Sequence, residues 1–143
     1  MDISLVKKDE YYDWDISTGN LSLNDDLYSV VMCSLLSDGL SDETHTNIPY
    51  NKRRGWWGSY QLDGYFGNQW WTCLSEAVDT DSLQTTLTNY ANQSLQHLID
   101  NNVVKSIVCD VSLVGHLRAV ILITLTKPDN NKSVYSVFWN NIQ

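Results

Sequence analysis

The stretch DSLQTTLTNYANQSLQHLIDNN, residues 81–102, decides the fold. Leu83, Leu87, Tyr90, Ala91, Ser94, Leu95, Leu98 and Ile99 recur at helical spacing and share one face. Asp81 and Gln84 stand three apart, a variant of the capping box, and Asp100-Asn101-Asn102 supplies a stop. The spacing predicts a helix over about 82–101. Burying each Leu or Ile on that face contributes roughly 1.5–3 kcal/mol, so the face must lie on a core. What it packs against comes next in the chain. In 103–113, Ile107, Cys109, Val111 and Leu113 alternate with Ser106, Asp110 and Ser112, the period of a strand with one wet face. Gly115-His116 turns the chain into 117–126, which is apolar on both faces: Leu117, Ala119, Ile121, Ile123 and Leu125 on one, Val120 and Leu122 on the other. Such a strand is central in its sheet, or meets a partner. Pro128 to Asn131 forms the next turn, and Val134–Trp139 returns antiparallel. The expected class is α+β, an antiparallel sheet meander packed on a long amphipathic helix.

Upstream the pattern is shorter-ranged. Ile3–Leu5, Trp14–Ile16 and Leu21–Leu23, broken by Thr18-Gly19-Asn20, carry hairpin signals. Residues 25–37 read as a helix capped by Asn24 or Asp25, with Leu27, Val30, Val31, Ser34 and Leu35 on one face. Asp38-Gly39 ends it, the glycine being suited to a left-handed position. The polar run Leu40–Asn51, with Pro49, reads as a surface loop. No repeat, low-complexity tract or linker divides the 143 residues, so one domain over 1–143 is expected.

Composition narrows the function classes. An apolar fraction of 43% and an aromatic fraction of 11% fit a folded chain, not a disordered one. Six Trp and eight Tyr favour recognition of a protein or a sugar surface. The net charge of −8, against a single basic run Lys52-Arg53-Arg54, argues against nucleic acid as partner. The N-terminus has no apolar signal region, and no apolar run approaches the length of a membrane span, so no membrane is expected. Cys33, Cys73 and Cys109 are odd in number and lack a CxxC pair; each has apolar neighbours and reads as a small buried hydrophobe in a reducing cytoplasm.

The residues that carry chemistry elsewhere do not form a constellation here. His45, His97 and His116 show no metal-ligand spacing, and no GxSxG, phosphate loop or dinucleotide loop is present. No metal, cofactor or catalytic residue is therefore expected. His97 reads as an ordinary residue of the helix end. A tail-associated peptidoglycan glycosidase remains as an alternative through Glu76, which follows Trp70-Trp71 and Leu74, but no second carboxylate is marked out for the reaction. A small acidic inhibitor is a second alternative, motivated by the charge and opposed by the scatter of the acids.

The unusual segment is Arg53-Arg54-Gly55-Trp56-Trp57-Gly58. Two glycines bracket two Trp, which lets the backbone turn tightly while both rings are offered together. Arg can stack on Trp or pair with carboxylates. The competing reading is that one of the Trp plugs the core and the Arg side chains pair with surface Asp.

This hexapeptide, the following Gly67-Asn68-Gln69-Trp70-Trp71-Thr72-Cys73-Leu74, and a helix ending His97-Leu98-Ile99-Asp100-Asn101-Asn102-Val103 together resemble the Mu-like phage baseplate protein family. Members of that family resemble the small, lysozyme-like wedge subunit of contractile phage tails. The resemblance covers nearly the whole chain, and the hexapeptide is its specific part. It departs at Thr72-Cys73-Leu74-Ser75-Glu76, where an aliphatic run with basic residues would be expected. The resemblance implies a non-enzymatic virion component, several copies per particle, assembled in the host cytoplasm beside a larger wedge subunit near the tube and sheath. It makes Arg53, Arg54, Gly55, Trp56, Trp57 and Gly58 the expected binding segment, with Trp70 and Trp71 as secondary candidates.

Overall fold

The helix expected from residues 81–102 spans Thr80–Asp100 (α3), and the three strands after it are Ser106–Gly115 (β5), Arg118–Thr126 (β6) and Lys132–Asn140 (β7). They pair antiparallel in the order β5-β6-β7, so β6 is central, and α3 lies along β5. This is the α+β meander-on-helix architecture that the periodicity predicts. A computed structural model of the chain describes residues 2–9, 11–16, 19–24, 27–41, 45, 47–58, 66–75, 79–115 and 118–140. The turn after Gly115 is thus described at its two ends, Gly115 opposite Arg118, while His116 and Leu117 lie outside the described residues.

The core follows the two periods. Leu83, Leu87, Ala91, Leu95 and Leu98 of α3 are buried, as are Cys109 and Val111 of β5, Ala119, Ile121, Ile123 and Leu125 of β6, and Tyr135, Val137 and Trp139 of β7. The ends of α3 are made differently from one another. At the C-terminus Asn102 takes φ 57°, the Asn102 amide donates to the Ile99 carbonyl and the Val103 amide to the Leu98 carbonyl. That double bond with a left-handed residue is a Schellman closure, with Asn in the place glycine usually takes. At the N-terminus the capping box does not form. Asp79 is the cap and makes no side-chain capping bond, while the Gln84 side-chain amide donates 2.7 Å to the Val111 carbonyl of β5. Gln84 ties helix to sheet instead, its amide reaching a carbonyl of the edge strand β5.

By its contacts the chain gathers into two compact units, residues 1–33 and 34–143. In the first, Asp2–Ile3 (β1) pairs with Leu23–Asn24 (β4), and Leu5–Lys8 (β2) pairs with Tyr11–Trp14 (β3). The tight hairpin therefore connects Lys8 to Tyr11, and the segments on either side of Thr18-Gly19-Asn20 are joined as well, the Ser22 amide donating 2.8 Å to the Asp15 carbonyl. Gly19 does turn, with φ +82°, but it carries the chain from β3 toward β4. The Lys8 ammonium, 3.2 Å from the Asp13 carboxylate, holds that carboxyl below its usual range. The helix expected at 25–37 spans Tyr28–Leu36 (α1), and a short helix, Thr72–Ser75 (α2), precedes α3; Asp25, one of the two expected caps of α1, lies outside the described residues.

The cysteines split. Cys73 and Cys109 are buried, and burial, with the Asp110 charge beside it, pushes the Cys109 thiol up to about 11. Cys33 is exposed, contrary to expectation, because the helical period turns it away while Val31, Met32, Ser34 and Leu35 face inward. An aromatic disulfide reagent at pH 8 should therefore modify Cys33 rapidly in the native chain and the other two only on unfolding. Rapid loss of a second thiol in native protein would contradict this burial. A thiolate must form before attack, and apolar surroundings oppose it.

Candidate partner-binding site

The run expected to be a surface loop, Leu40–Asn51, is partly interior: Ser41, His45 and Ile48 are buried. Its backbone explains why. Residues 37–41 run beside 67–69 as an isolated parallel bridge, Asp38 opposite Asn68. The Gly39 amide donates 2.8 Å to the Asn68 carbonyl, and the Asn68 amide donates 2.8 Å to the Ser37 carbonyl. Trp71 donates its indole N–H to the Gly39 carbonyl at 2.9 Å, and Gln69 its side-chain amide to the Leu40 carbonyl at 3.1 Å. Every carbonyl from Gly39 to Ser41 is thus taken by a side chain from elsewhere, since Arg53 covers the Ser41 carbonyl with both Nε and Nη2. Interior backbone without helix or sheet must find such partners. His45 Nε2 meets Gln69 Oε1 at 2.9 Å, completing the buried polar layer.

Gly39 is not the left-handed helix stop; its φ is not positive. Its reason is proximity. A Cβ on Gly39 would come 3.1 Å from the Gly67 carbonyl carbon, and one on Gly67 (φ +96°) would come 2.7 Å from the Ser37 oxygen. The two segments touch backbone to backbone. Gly67→Ala combines that clash with a backbone conformation that L residues resist, and should cost about 2 kcal/mol or more of stability. A melting midpoint equal to that of the wild type would refute the close packing.

This crossing is fixed in turn to α3 by Trp70. Its ring is buried, its indole N–H donates 3.0 Å to the Leu87 carbonyl, and its amide donates 2.9 Å to Asn68 Oδ1. Trp70 therefore belongs to the interior and presents no surface to a partner. The sequence could not separate it from its neighbours, because both Trp-Trp pairs have the same apolar content; the partner of the indole N–H makes the difference.

Upon this base sits the hexapeptide. Arg53 bonds the Ser41 carbonyl, accepts the Ser41 amide on its own carbonyl at 3.1 Å, and lies 5.5 Å from the Tyr50 ring centre. Arg54 reaches Asp38 at 2.9 Å and stacks over the Trp71 ring, 4.8 Å from its centre. Gly55 takes φ +97° against Leu40, where a Cβ would come within 2.8 Å of the Leu40 Cβ. Gly58 lies beneath the Trp56 ring, with no room for a side chain. Both glycines are thus required, one by conformation and both by space.

The Trp rings end on the outside. Trp56 is 42% exposed, packing against Phe66 at 5.7 Å and Trp57 at 5.3 Å between ring centres. Trp57 is 75% exposed, and Tyr50 more so. Neither Trp56 nor Trp57 plugs the core. A surface concavity of about 560 Å³ lies between Ile48, Pro49, Lys52, Arg54 and Trp71, and a second of about 290 Å³ is lined by Arg54, Arg53 and Tyr50. The result is a basic and aromatic surface on an acidic chain, suited to contact. Among the described residues no three His, Cys, Asp or Glu side chains gather into a metal-type cluster. Glu76 lies outside the described residues. No helix among the described residues is long and apolar enough to cross a membrane.

Comparison with known proteins agrees in extent with the fold. A family model described as phage protein GP46 matches residues 27–132, from α1 to the start of β7. The "Mu-like prophage FluMu protein gp46" of Haemophilus influenzae is 28% identical over 142 residues, covering 97% of this chain and 98% of that protein. The family match spans well over half of the chain and takes in the crossing, the hexapeptide and α3, and on that ground the chain belongs to the Mu-like phage gp46 baseplate protein family.

Proposed function

We propose that the surface formed by Arg53, Arg54, Trp56, Trp57 and Trp71, with Gly55 and Gly58 shaping the loop, is where this chain binds a larger wedge subunit of the baseplate. Membership of the family makes the chain a structural component of the baseplate of a Mu-like contractile tail, located in the virion and not known as an enzyme. The finer reading concerns how it is held there. Residues 1–143 form one baseplate-wedge-like domain, present in several copies per particle close to tube and sheath, with no nucleic acid, membrane or cofactor as partner.

The observation that carries this reading is the exposure of Trp57, which lies against the Trp56 ring four positions after the backbone bond between Ser41 and Arg53. A rigid aromatic side chain held out in water loses little entropy when covered, which is the property of an interface hot spot. Arg54 adds a replaceable cation. Its pair with Asp38 is half-exposed on both sides, and such surface pairs contribute only about 0–1 kcal/mol. A partner carboxylate can therefore take the place of Asp38 at small cost. The test is co-expression of Arg54→Ala with the larger wedge protein encoded by the same phage or prophage. The variant should fold with an unchanged melting point and fail to co-purify; normal yield of the complex would refute the assignment.

A further inference from the structure

Among the described residues the meander leaves one of its faces without a layer. α3 lies against the inner face, where the odd-numbered residues point up to the bulge at Leu113/Gly115. On the outer face stand Val108, Leu122, Val134 and Phe138, each between 41 and 56% exposed, with Val120 half-buried among them. Strand register interleaves them with polar residues. Val108, Thr124 and Val134 form one row, Asp110, Leu122 and Ser136 the next, and Ser112, Val120 and Phe138 a third. The central strand thus has two apolar faces, as its sequence shows, and the described residues cover only one of them. Surface apolar residues scattered singly need no explanation, but four exposed on one face of a three-stranded sheet do.

We infer that this outer face receives an amphipathic α-helix from another tail protein, which completes a helix–sheet–helix sandwich. Size and charge select the occupant. Three strands about 4.8 Å apart and nine residues long at about 3.3 Å each present a face of roughly 14 by 30 Å. A second copy of this chain stacked face to face would set Arg118 and Lys132 against the same two cations in either direction. One helix fits, being about 10 Å wide and, at about 20 residues, about 30 Å long. α3, with 21 residues, already covers the opposite face of the same sheet on this scale.

Charge sets the occupant's pattern. Arg118 and Lys132 stand at opposite ends of the outer face, in the rows of Asn140 and of Thr126, and among the described residues neither has an ion-pair partner. Eight residues of β6 separate those rows, a distance of about 26 Å at strand rise. The matching helix carries an aliphatic stripe with carboxylates at its two ends, about 17 residues apart at helical rise. This surface is separate from the hexapeptide and does not depend on what that loop binds.

The experiment places the photoreactive residue p-benzoylphenylalanine at Val134 of the full chain, irradiates assembled tails, and sequences the cross-linked peptide. The expected adduct is a segment of a different tail protein with helical apolar spacing and acidic ends. An adduct with a second copy of this chain, with lipid, or with a segment lacking that pattern overturns the inference, as does the absence of any adduct. In parallel, Leu122→Glu should lower the yield of assembled tails at least about tenfold without changing the melting point. If Leu122→Glu does not fold, Val134→Ser takes its place, and normal assembly by a folded variant overturns the inference equally.

Discussion

Trp70→Ala should destabilise the isolated chain by about 3–5 kcal/mol, the largest effect expected of any single change within the second compact unit. The substitution removes a buried indole and leaves a cavity that the close backbone contact of Gly39 with Gly67 cannot relax to fill. It also removes the donor to the Leu87 carbonyl, the link between α3 and the crossing segments. Urea unfolding measures this directly. A loss below about 1 kcal/mol would show that the crossing is held without Trp70. The same variant separates packing from binding. With the crossing loosened, the base under Arg53 and Arg54 loosens too, so any loss of assembly by Trp70→Ala is a loss of scaffold.

Trp57→Ala should do the reverse. With three quarters of the side chain in water, its removal changes the isolated fold by less than about 0.5 kcal/mol. In the complex the expected loss is at least about 2 kcal/mol, or about 30-fold in Kd for the larger wedge subunit. The size follows from area. Covering about 150 Å² of indole at about 25 cal/mol per Å² contributes about 4 kcal/mol, from which ordering and imperfect packing subtract. Titration calorimetry with the purified wedge subunit measures the ratio, and a change below threefold would remove Trp57 from the interface. Together the two Trp variants form a contrast between one residue inside and one outside, thirteen positions apart in sequence.

The parts of this molecule that sequence reveals are those governed by a period. The face of α3 and the alternation in β5 to β7 repeat often enough that chance cannot imitate them, and the architecture follows. The parts that it hides are governed by single contacts. Gln84 has the spacing of a capping box, yet the Val111 carbonyl lies within its reach and takes the side-chain amide. Ser41, His45 and Ile48 look like loop residues because interior chain without regular structure has no period, only individual hydrogen bonds. Gly39 looks like a helix stop and is instead a site of close backbone approach. Cys33 shows the opposite case, where the helical period decides its exposure and the apolar neighbours mislead.

The candidate site was legible in its composition and not in its geometry. Two Arg, two Trp and two Gly in six residues mark the segment as unusual. Which ring faces out, and which carbonyls hold the loop, depend on residues 37–41 and 67–71, which nothing local to the hexapeptide reveals. Trp71 gains its place beside Arg54 only through the crossing.

On the proposed function, the aromatic and basic surface around Trp57 is covered by a baseplate partner on assembly. Hydroxyl-radical footprinting of Trp57 and Tyr50, comparing the free chain with the assembled baseplate, tests it most directly. Both rings are reactive in the free chain, and both should be strongly protected after assembly, while the buried Trp70 stays unreactive in either state. Equal modification of Trp57 and Tyr50 before and after assembly would contradict the account.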